Sequence, residues 1–440
     1  MKKILFFISL YFYQNIVHAQ SIREAMDVKN YHFTITVNDS NDTIQGITVI
    51  TLVAKKTLKQ FSIDLESLQN NGKGMIVRSV KGDFIKKFNH AQDLLQIELS
   101  KEIKAHTTLR LSISYSGIPT DGLIISKTKY GRRAFFADHW PQRAHCWLPC
   151  VDHPSDKASV DFTIIAPKHY RVIANGIQTN RVENTRSTTA TTKYHESKNI
   201  PTKVMTIGVA DFAVEKAGFS HNIPVYSWIY PEDSNKGFYD FKVAPQMLDY
   251  FSKTIGTYGY QKLANVQSKT RFGGLENANA IFYAEDAVRG DRSNEQLLAH
   301  EIAHQWFGNM ATETDWPHLW LSEGFATYFS MLYMEHQYGR DTLINLLKKN
   351  KLRIIGNPVC ESRPVIDHSQ KDPMNLLNRN SYEKGGWILH MLRSQLGDSL
   401  FFKAIQKYYK KYSGHNANSE DLQHLFEDVS KKSLDQFFKQ

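Results

Sequence analysis

The spacing of apolar residues changes partway along this 440-residue chain, and that change restricts the folds it can adopt. Between residues 30 and 215, short segments rich in β-branched and aromatic residues alternate with turn clusters such as NDSND and SGIPTDG. This pattern is typical of strands that bury one face. After residue 240, apolar residues recur at helical spacing, and Ser or Asp often precedes these segments while Gly often follows them.

We therefore predict an α+β multidomain protein, in which an all-β domain over residues 20–215 precedes a mostly helical domain over residues 216–440. Hydrophobic residues make up 41% of the chain and charged residues 22%, which is ordinary for a globular protein. The formal net charge is +10, but the 54 Lys and Arg residues are scattered, and their densest runs fall in helical patterns. We interpret those runs as solvated helix faces and expect no nucleic-acid partner.

The N-terminus has the three parts of a secretory signal peptide. Lys2 and Lys3 form a positive region, ILFFISLYFY an apolar region, and VHA, which ends at Ala19, a small-residue cleavage site. The apolar run is short for a bilayer span, although an uncleaved membrane anchor is the alternative. We expect residues 1–19 to be removed and the mature protein to be exported, periplasmic or secreted, without stable membrane insertion.

A metal-binding pattern lies in the segment LLAHEIAHQWFGN at residues 297–309. His300 and His304 are four residues apart, which places both imidazoles on one face of a helix, about one turn apart. The pair alone also fits two core-facing histidines of an amphipathic helix. A catalytic zinc takes three protein ligands and keeps one position open for water. Glu323, in the downstream segment WLSEGFATYFS, supplies the third ligand in this interpretation, and we expect one Zn²⁺ per chain.

Glu301 lies between the two histidines and has a different predicted role. A zinc ion makes its bound water acidic, and a carboxylate beside that water can accept its proton as the water attacks a carbonyl. We therefore predict that Glu301 is the general base and not a ligand. The predicted reaction class is metal-assisted hydrolysis.

Four stretches of the chain together resemble the signature of the gluzincin aminopeptidases, the group of aminopeptidase N and the leukotriene hydrolase. They are RFGGLENANAI at residues 271–281, HEIAHQWFGN, WLSEGFATY, and SYEKGGWILHML at residues 381–392. The resemblance implies a saddle-like all-β domain followed by a thermolysin-like catalytic domain. It also implies an aminopeptidase that removes N-terminal residues from peptides with a free N-terminus.

The resemblance assigns further site residues. Gly273 and Gly274 permit a substrate to lie alongside the backbone as an added strand, and Asn277 supports that strand. Glu276 pairs with the α-ammonium of the peptide and so fixes the scissile bond one residue from the N-terminus. Tyr382 donates a hydrogen bond to the oxyanion opposite the metal.

The chain departs from the family pattern in several places. Leu275 replaces the usual methionine, Ser322 stands where asparagine is common, and Trp140 occupies a position that often carries a substrate-binding Gln or Glu. Family members usually carry a further helical domain after the catalytic one. We expect a short bacterial form without it, whose cleft is more open or is covered by a partner subunit.

Two other functions share parts of this pattern. A thermolysin-type zinc endopeptidase uses the same ligands, but it has no use for an ammonium-binding carboxylate such as Glu276. A non-catalytic peptide-binding relative is the second alternative, and the presence of all the expected ligands, the base and the tyrosine argues against it. The sequence does not address an epoxide hydrolase side activity.

Overall fold

The computed structural model describes residues 25–439. The predicted signal segment at residues 1–19 lies outside the described residues. Within the described range, none of the helices combines the length and hydropathy that a bilayer crossing needs.

The N-terminal part of the described chain is built from strands. They are β1 (Met26–Thr36), β2 (Ile44–Ala54), β3 (Leu58–Asp64), β4 (Gly74–Gly82), β5 (Ile85–Ala91), β6 (Leu94–Ile103), β7 (Thr108–Ile118), β8 (Leu123–Lys127), β9 (Arg133–Ala137), β10 (Lys157–Pro167), β11 (Arg171–Ala174), β12 (Ile177–Glu183), β13 (Thr189–Pro201) and β14 (Ile207–Ala210). A seven-stranded sheet has the order β12-β13-β10-β1-β2-β7-β4. Two smaller sheets have the orders β11-β14-β9-β8 and β3-β6-β5.

Alternation with a period of two explains how these strands form a core. In β2, Ile44, Ile50 and Leu52 are buried, while Ile47 on the opposite face is 47% exposed. In the parallel pair β1 and β10, Phe33 lies beside Phe162 and their rings stack with centroids 5.5 Å apart. Strands such as β1 and β2 therefore each bury one row of apolar side chains, as the sequence pattern predicts.

The chain then forms a further sheet, of five strands, with the order β15-β16-β17-β19-β18. Its members are β15 (Ala213–Ser220), β16 (Ile223–Ile229), β17 (Leu263–Ser268), β18 (Gly274–Leu275) and β19 (Ala280–Ala284). The predicted domain boundary between residues 215 and 216 falls within β15 and stays a prediction. The edge strand β18 contains the predicted site residue Gly274 and is flanked by two others, Gly273 and Glu276.

The remainder is mostly helical. The helices are α1 (Ser234–Phe241), α2 (Ala244–Thr254), α3 (Glu295–Ala303), α4 (Trp320–Tyr338), α5 (Arg340–Ile354), α6 (Pro358–Ser362), α7 (Gly385–Leu396), α8 (Asp398–Tyr412), α9 (Ser419–Ser430) and α10 (Asp435–Phe438). Short strands β20 (Thr312–Glu313) and β21 (Asn416–Ala417) pair, and Asn380–Lys384 forms a π-helical turn before α7. An all-β part followed by a mostly helical part confirms the predicted fold class.

Helices α3 and α4 run antiparallel, and this arrangement positions the site. Glu295 begins α3 and Tyr338 ends α4, yet the Tyr338 hydroxyl donates a 2.6 Å hydrogen bond to Glu295 Oε2. The end of α3 therefore lies beside the start of α4. The loop between them, residues 304–319, turns one helix back against the other.

Candidate metal centre

Three of the predicted residues converge where α3 ends and α4 begins. His300 lies in the last turn of α3 and His304 directly follows it, and their Nε2 atoms are 3.1 Å apart. Glu323, in the first turn of α4, places Oε2 3.4 Å from His300 Nε2 and 3.2 Å from His304 Nε2. Among residues 25–439, this is the group of histidine, cysteine and acidic residues whose ligand atoms lie within 4.8 Å of one another.

The donor set fits a zinc ion. Two imidazole nitrogens that face each other cannot both donate, and the buried Oε2 of Glu323 has no hydrogen-bond partner in the described part of the chain. His304 Nδ1 lies 3.1 Å from the Phe307 carbonyl, which can only accept. Nδ1 therefore donates to this carbonyl, which leaves Nε2 to face the centre and bind a proton or a metal ion.

Electrostatics at the centre agree with a site for a cation. Burial opposes a charge on His304, but the adjacent Glu323 carboxylate outweighs it and raises the pKa of His304 to about 9. Burial likewise opposes ionisation of Glu323, yet the two histidines hold its pKa below the usual range. The Glu323 carboxylate is therefore kept ionised although it is buried.

Ser322, which departs from the family pattern, lies next to this centre. Its hydroxyl is 3.1 Å from His304 Nδ1 and the side chain is fully buried. A β-carbon on Gly308 would overlap the Ser322 hydroxyl, and Gly308 also has a φ of +106°, so the turn after α3 requires glycine. Ser322 therefore touches the imidazole that the metal would hold.

Glu301, the residue after His300 on α3, lines the same cavity as the three ligand candidates. Its side chain is buried, and burial together with the nearby carboxylates of Glu276 and Glu323 raises its pKa well above the usual value. A β-carbon on Gly274 would overlap the Glu301 carboxylate, whereas one on Gly273 would meet only Leu297 Cδ2 at 3.8 Å. Of these two glycines, Gly274 is therefore the one that permits the close approach of β18 to Glu301.

Glu276 is a buried carboxylate without a complete set of partners. Its side chain is 5% exposed, and Oε1 has no hydrogen-bond partner among the described residues. Burial raises its pKa, and the Glu323 carboxylate acts in the same direction. Such a group is costly to bury unless a cation or a hydrogen-bond donor joins it. The position is therefore complementary to a cationic ligand group.

The backbone of Glu276 is held by two side chains that the sequence interpretation did not single out. Gln305 Nε2 and Asn309 Nδ2 donate to the Glu276 carbonyl at 3.1 and 2.7 Å. Both belong to the same HQWFGN segment as His304, and their proximity to the motif was the available signal. They tie the loop that carries Glu276 to the helix that carries the histidines.

Asn277 does not hold this loop through its side chain. Neither amide atom of Asn277 has a hydrogen-bond partner within residues 25–439. Asn279 fills that place instead: its main-chain N–H donates to Gln305 Oε1 at 2.7 Å, and its amide donates to Glu196 at 2.7 Å. Asn279 has a φ of +52°, a conformation that asparagine tolerates better than most residues.

Tyr382 lines the cavity from the π-helical turn. Its ring stacks on the His300 imidazole, with centroids 6.0 Å apart and an angle of 15° between the planes. Burial and the Glu323 carboxylate raise the pKa of its phenol well above the usual value. The hydroxyl therefore stays protonated at neutral pH and can donate.

A cavity of about 780 Å³ connects these residues. The predicted site residues in its lining are Gly273, Gly274, Glu276, His300, Glu301, His304, Glu323 and Tyr382. Trp140 also lines it and packs edge-on against Trp316 and Phe272, with ring centroids 5.5 and 6.2 Å away. Aromatic side chains therefore line the cavity at the position where family members often carry a Gln or Glu.

Comparison with known protein families gives two adjoining matches. Residues 28–204 match the Peptidase M1 N-terminal domain, and residues 239–440 match the Peptidase family M1 domain. Residues 205–238, where the hydrophobic pattern changes, separate the two matches, which together span most of the chain.

Similar curated proteins are named aminopeptidases. Probable aminopeptidase 1 of Saccharolobus solfataricus is 24% identical over 394 residues, which cover 86% of this chain and 48% of that protein. Aminopeptidase M1-D of Oryza sativa subsp. japonica is 32% identical over 306 residues, covering 64% of this chain and 34% of the relative. The chain therefore spans about half or less of the length of these relatives.

Solved structures match the fold over nearly the whole chain. A mutant M1 zinc metallopeptidase from Deinococcus radiodurans superimposes with a TM-score of 0.79 and 21% identity, covering 94% of each chain. The same mutant bound to a Tyr-Ser-Ala substrate gives 0.79 and 22%, covering 94% of this chain and 93% of that one. At this identity the similarity establishes the fold.

Proposed function

Because the chain belongs to peptidase family M1, we propose that it is a zinc-dependent aminopeptidase that releases single residues from the free N-termini of peptides. The observation that carries this proposal is the buried, incompletely paired carboxylate of Glu276 in the cavity that also contains the His300, His304 and Glu323 group. The names of the relatives support the activity, and the Tyr-Ser-Ala substrate of the Deinococcus protein supports a peptide ligand.

His300, His304 and Glu323 would hold the zinc, since two imidazoles and one carboxylate are a donor set of hydrolytic zinc sites. When bound, zinc would supply Lewis-acid chemistry that makes water acidic enough to attack at neutral pH. Glu301 would accept the proton of the attacking water and deliver it to the leaving amine. Its raised pKa suits both steps, because a carboxylate that binds a proton more tightly is a stronger base.

Tyr382 would act on the scissile carbonyl. Its hydroxyl stays protonated and would donate a hydrogen bond to the negative oxygen that develops during attack. The ring is fixed by its stacking on His300, so the donor is positioned before the substrate arrives. Such preorganised donors contribute most where charge appears only in the transition state.

The substrate would add to the edge of the five-stranded sheet. Strand β18 is the last in the order β15-β16-β17-β19-β18, so its outer edge has no strand partner among the described residues. An extended peptide can pair with such an edge. Gly274 lets that edge approach Glu301, and Glu276 follows two residues later to receive the α-ammonium. Cleavage after the first residue follows from these two constraints.

The test is a rate panel of amino-acid amides and short peptides, each with a free and an N-acetylated amine, together with a measurement of zinc content. The proposal expects about one zinc per chain and hydrolysis restricted to free amines. Internal cleavage of acetylated peptides at the rate of N-terminal trimming would replace it with the endopeptidase function.

We also propose that the protein acts outside the cytoplasm, in the periplasm or the medium. The support is the signal-like sequence of residues 1–19, with Lys2, Lys3 and the VHA segment that ends at Ala19. Cell fractionation and N-terminal sequencing of the recovered protein test this. Export with a new N-terminus at Gln20 is expected, and a full-length chain retained in the cytoplasm would refute it.

A further inference from the structure

The cavity continues well beyond the metal centre, and its direction can be read from the two antiparallel helices. Glu276 lies at the C-terminal end of α3, where Gln305 donates to its carbonyl. The lining follows α3 back to Asn294 and Leu297 at its N-terminal end. Along the axis of α3, the metal centre therefore lies between Glu276 and the part of the cavity near Asn294 and Leu297. We call that part the remote end of the cavity.

Helix α4 supplies the opposite wall. Glu323, Thr327 and Ser330 all line the cavity, and they occupy successive turns of one face. Seven residues of helix span about 10 Å, so the cavity extends by about that length past Glu323. Helix α5 borders this end, since Asn350 Nδ2 lies 3.5 Å from the sulfur of Met331, the residue after Ser330.

This remote end carries excess positive charge. Its ionisable lining residues are Lys349 and Arg353 of α5, and Arg379 and Glu383 near the π-helical turn. Arg353 pairs with Glu383 at 3.2 Å, and Arg379 donates one hydrogen bond to the Arg353 carbonyl at 3.1 Å. Within residues 25–439, Lys349 and Arg379 form no ion pair. Two cations are therefore left without a countercharge at the end opposite Glu276.

We propose that Lys349 and Arg379 bind the C-terminal carboxylate of short peptides, which makes the enzyme selective for substrates of three or four residues. This inference rests on the proposed function, and it extends it by naming the length and the second charged end of the substrate. Glu276 would receive the ammonium at one end of the cavity, and the two cations would receive the carboxylate at the other.

The dimensions agree with this length. An extended peptide advances by about 3.3 Å per residue, so the carboxylate of a tripeptide or tetrapeptide lies about 7–10 Å beyond the first peptide bond. That matches the length of cavity beyond Glu323. A longer peptide would carry its carboxylate past Lys349, and a dipeptide would fall short of it.

The experiment compares kcat/KM for a tripeptide with its C-terminal amide, using the first residue that is released fastest from amino-acid 4-nitroanilides. The wild type should prefer the free carboxylate by about tenfold, and added salt should reduce this preference. In the double variant that combines Lys349→Gln and Arg379→Gln, KM for the free tripeptide should rise by about tenfold. Hydrolysis of the 4-nitroanilide, which has no carboxylate, should stay unchanged.

Lys348→Gln is the matched control, because Lys348 is exposed on the same helix and lies outside the cavity lining. In this variant, the ratio of kcat/KM for the tripeptide to kcat/KM for its amide should equal the wild-type ratio. Equal kcat/KM for the tripeptide and its amide in the wild type would overturn the inference while 4-nitroanilide hydrolysis left the proposed function intact. Failure of the zinc-loaded enzyme on every free-amine substrate would overturn the proposed function, and this inference with it.

Discussion

The ring of Tyr382 lies nearly parallel to the imidazole of His300, with centroids 6.0 Å apart and 15° between the planes. A residue of the π-helical turn Asn380–Lys384 thereby contacts a metal-ligand candidate on α3, more than 80 residues earlier in the chain. The contact fixes the phenol beside the cavity without a hydrogen bond to the imidazole. Its hydroxyl faces the cavity beside the Glu323 carboxylate.

Tyr382→Phe keeps this stacking and removes only the hydroxyl. We expect kcat to fall by about 10²–10³-fold with little change in KM, because the hydrogen bond forms mainly in the transition state. Steady-state kinetics on an amino-acid amide measure both constants. A rise in KM with unchanged kcat would contradict the role of oxyanion donor.

Glu323→Ala removes one of three ligands from the candidate metal centre. We expect the purified variant to retain far less zinc than the wild type, because two histidines alone give an incomplete site. Metal analysis after dialysis against a chelator measures the loss. Glu335→Ala, three turns later on the same helix, is the control and should keep its zinc. Full occupancy in Glu323→Ala would remove this residue from the ligand set.

Glu301→Gln separates proton transfer from metal binding. The amide has nearly the same shape as the carboxylate but cannot accept a proton at neutral pH. We expect zinc content to stay at the wild-type level while kcat falls by at least about 10²-fold. Near-normal turnover with full zinc would assign the base to another group.

Part of this site follows from local sequence rules. The i, i+4 spacing of His300 and His304 fixes their common face, and a returning helix brings Glu323 to them. Alternating apolar residues likewise predict the strands of the first half. These features are set by periodicity, which a single sequence displays directly.

Other features depend on contacts between distant residues, and no local pattern reports them. Asn279, near the loop that carries Glu276, donates to Glu196, 83 residues away, whereas the amide of Asn277 has no partner within residues 25–439. Likewise, Lys349 and Arg379 belong to segments whose sequences are typical of solvated surface. Lys349 reaches the cavity because α5 packs against α4, and Arg379 reaches it from a later segment that bonds to the Arg353 carbonyl.

A pH prediction concerns a buried ion pair remote from the metal centre. Burial opposes a charge on His145, but its 2.8 Å hydrogen bond to Asp152 outweighs this and raises the pKa to about 9 from the usual 6.5. Burial also opposes ionisation of Asp152, yet His145 lowers its pKa. Since the pKa of His145 is raised on folding, its contribution to stability is fully present below pH 6.5 and disappears as pH rises through about 9.

We therefore expect His145→Gln to lower the free energy of unfolding by about 2 kcal/mol near pH 6 and by much less near pH 9.5. Denaturant titrations of both proteins at the two pH values give the difference. His221→Gln is the control, because its pair with Asp249 is exposed on both sides and should matter little at either pH. A difference that does not depend on pH would show that the pair contributes through packing alone.

The last prediction concerns Glu276 and decides between an exopeptidase and an endopeptidase. Glu276→Gln keeps the side-chain volume and the backbone contacts to Gln305 and Asn309, but it removes the negative charge. We expect kcat/KM on free-amine peptides to fall by roughly 10²–10³-fold, because the ammonium would lose its buried partner. N-acetylated peptides, which are poor substrates of the wild type, should change little.

The decisive measurement is therefore the ratio of kcat/KM for free-amine peptides to kcat/KM for N-acetylated peptides. This ratio should be far smaller in Glu276→Gln than in the wild type. Asn309→Ala provides a matched comparison, since it removes a 2.7 Å hydrogen bond to the same loop without touching the carboxylate. It should weaken binding of free-amine peptides by raising KM while the preference for a free amine survives. If Glu276→Gln kept the wild-type ratio, this carboxylate would not be the ammonium site, and the cavity would be open to internal peptide segments.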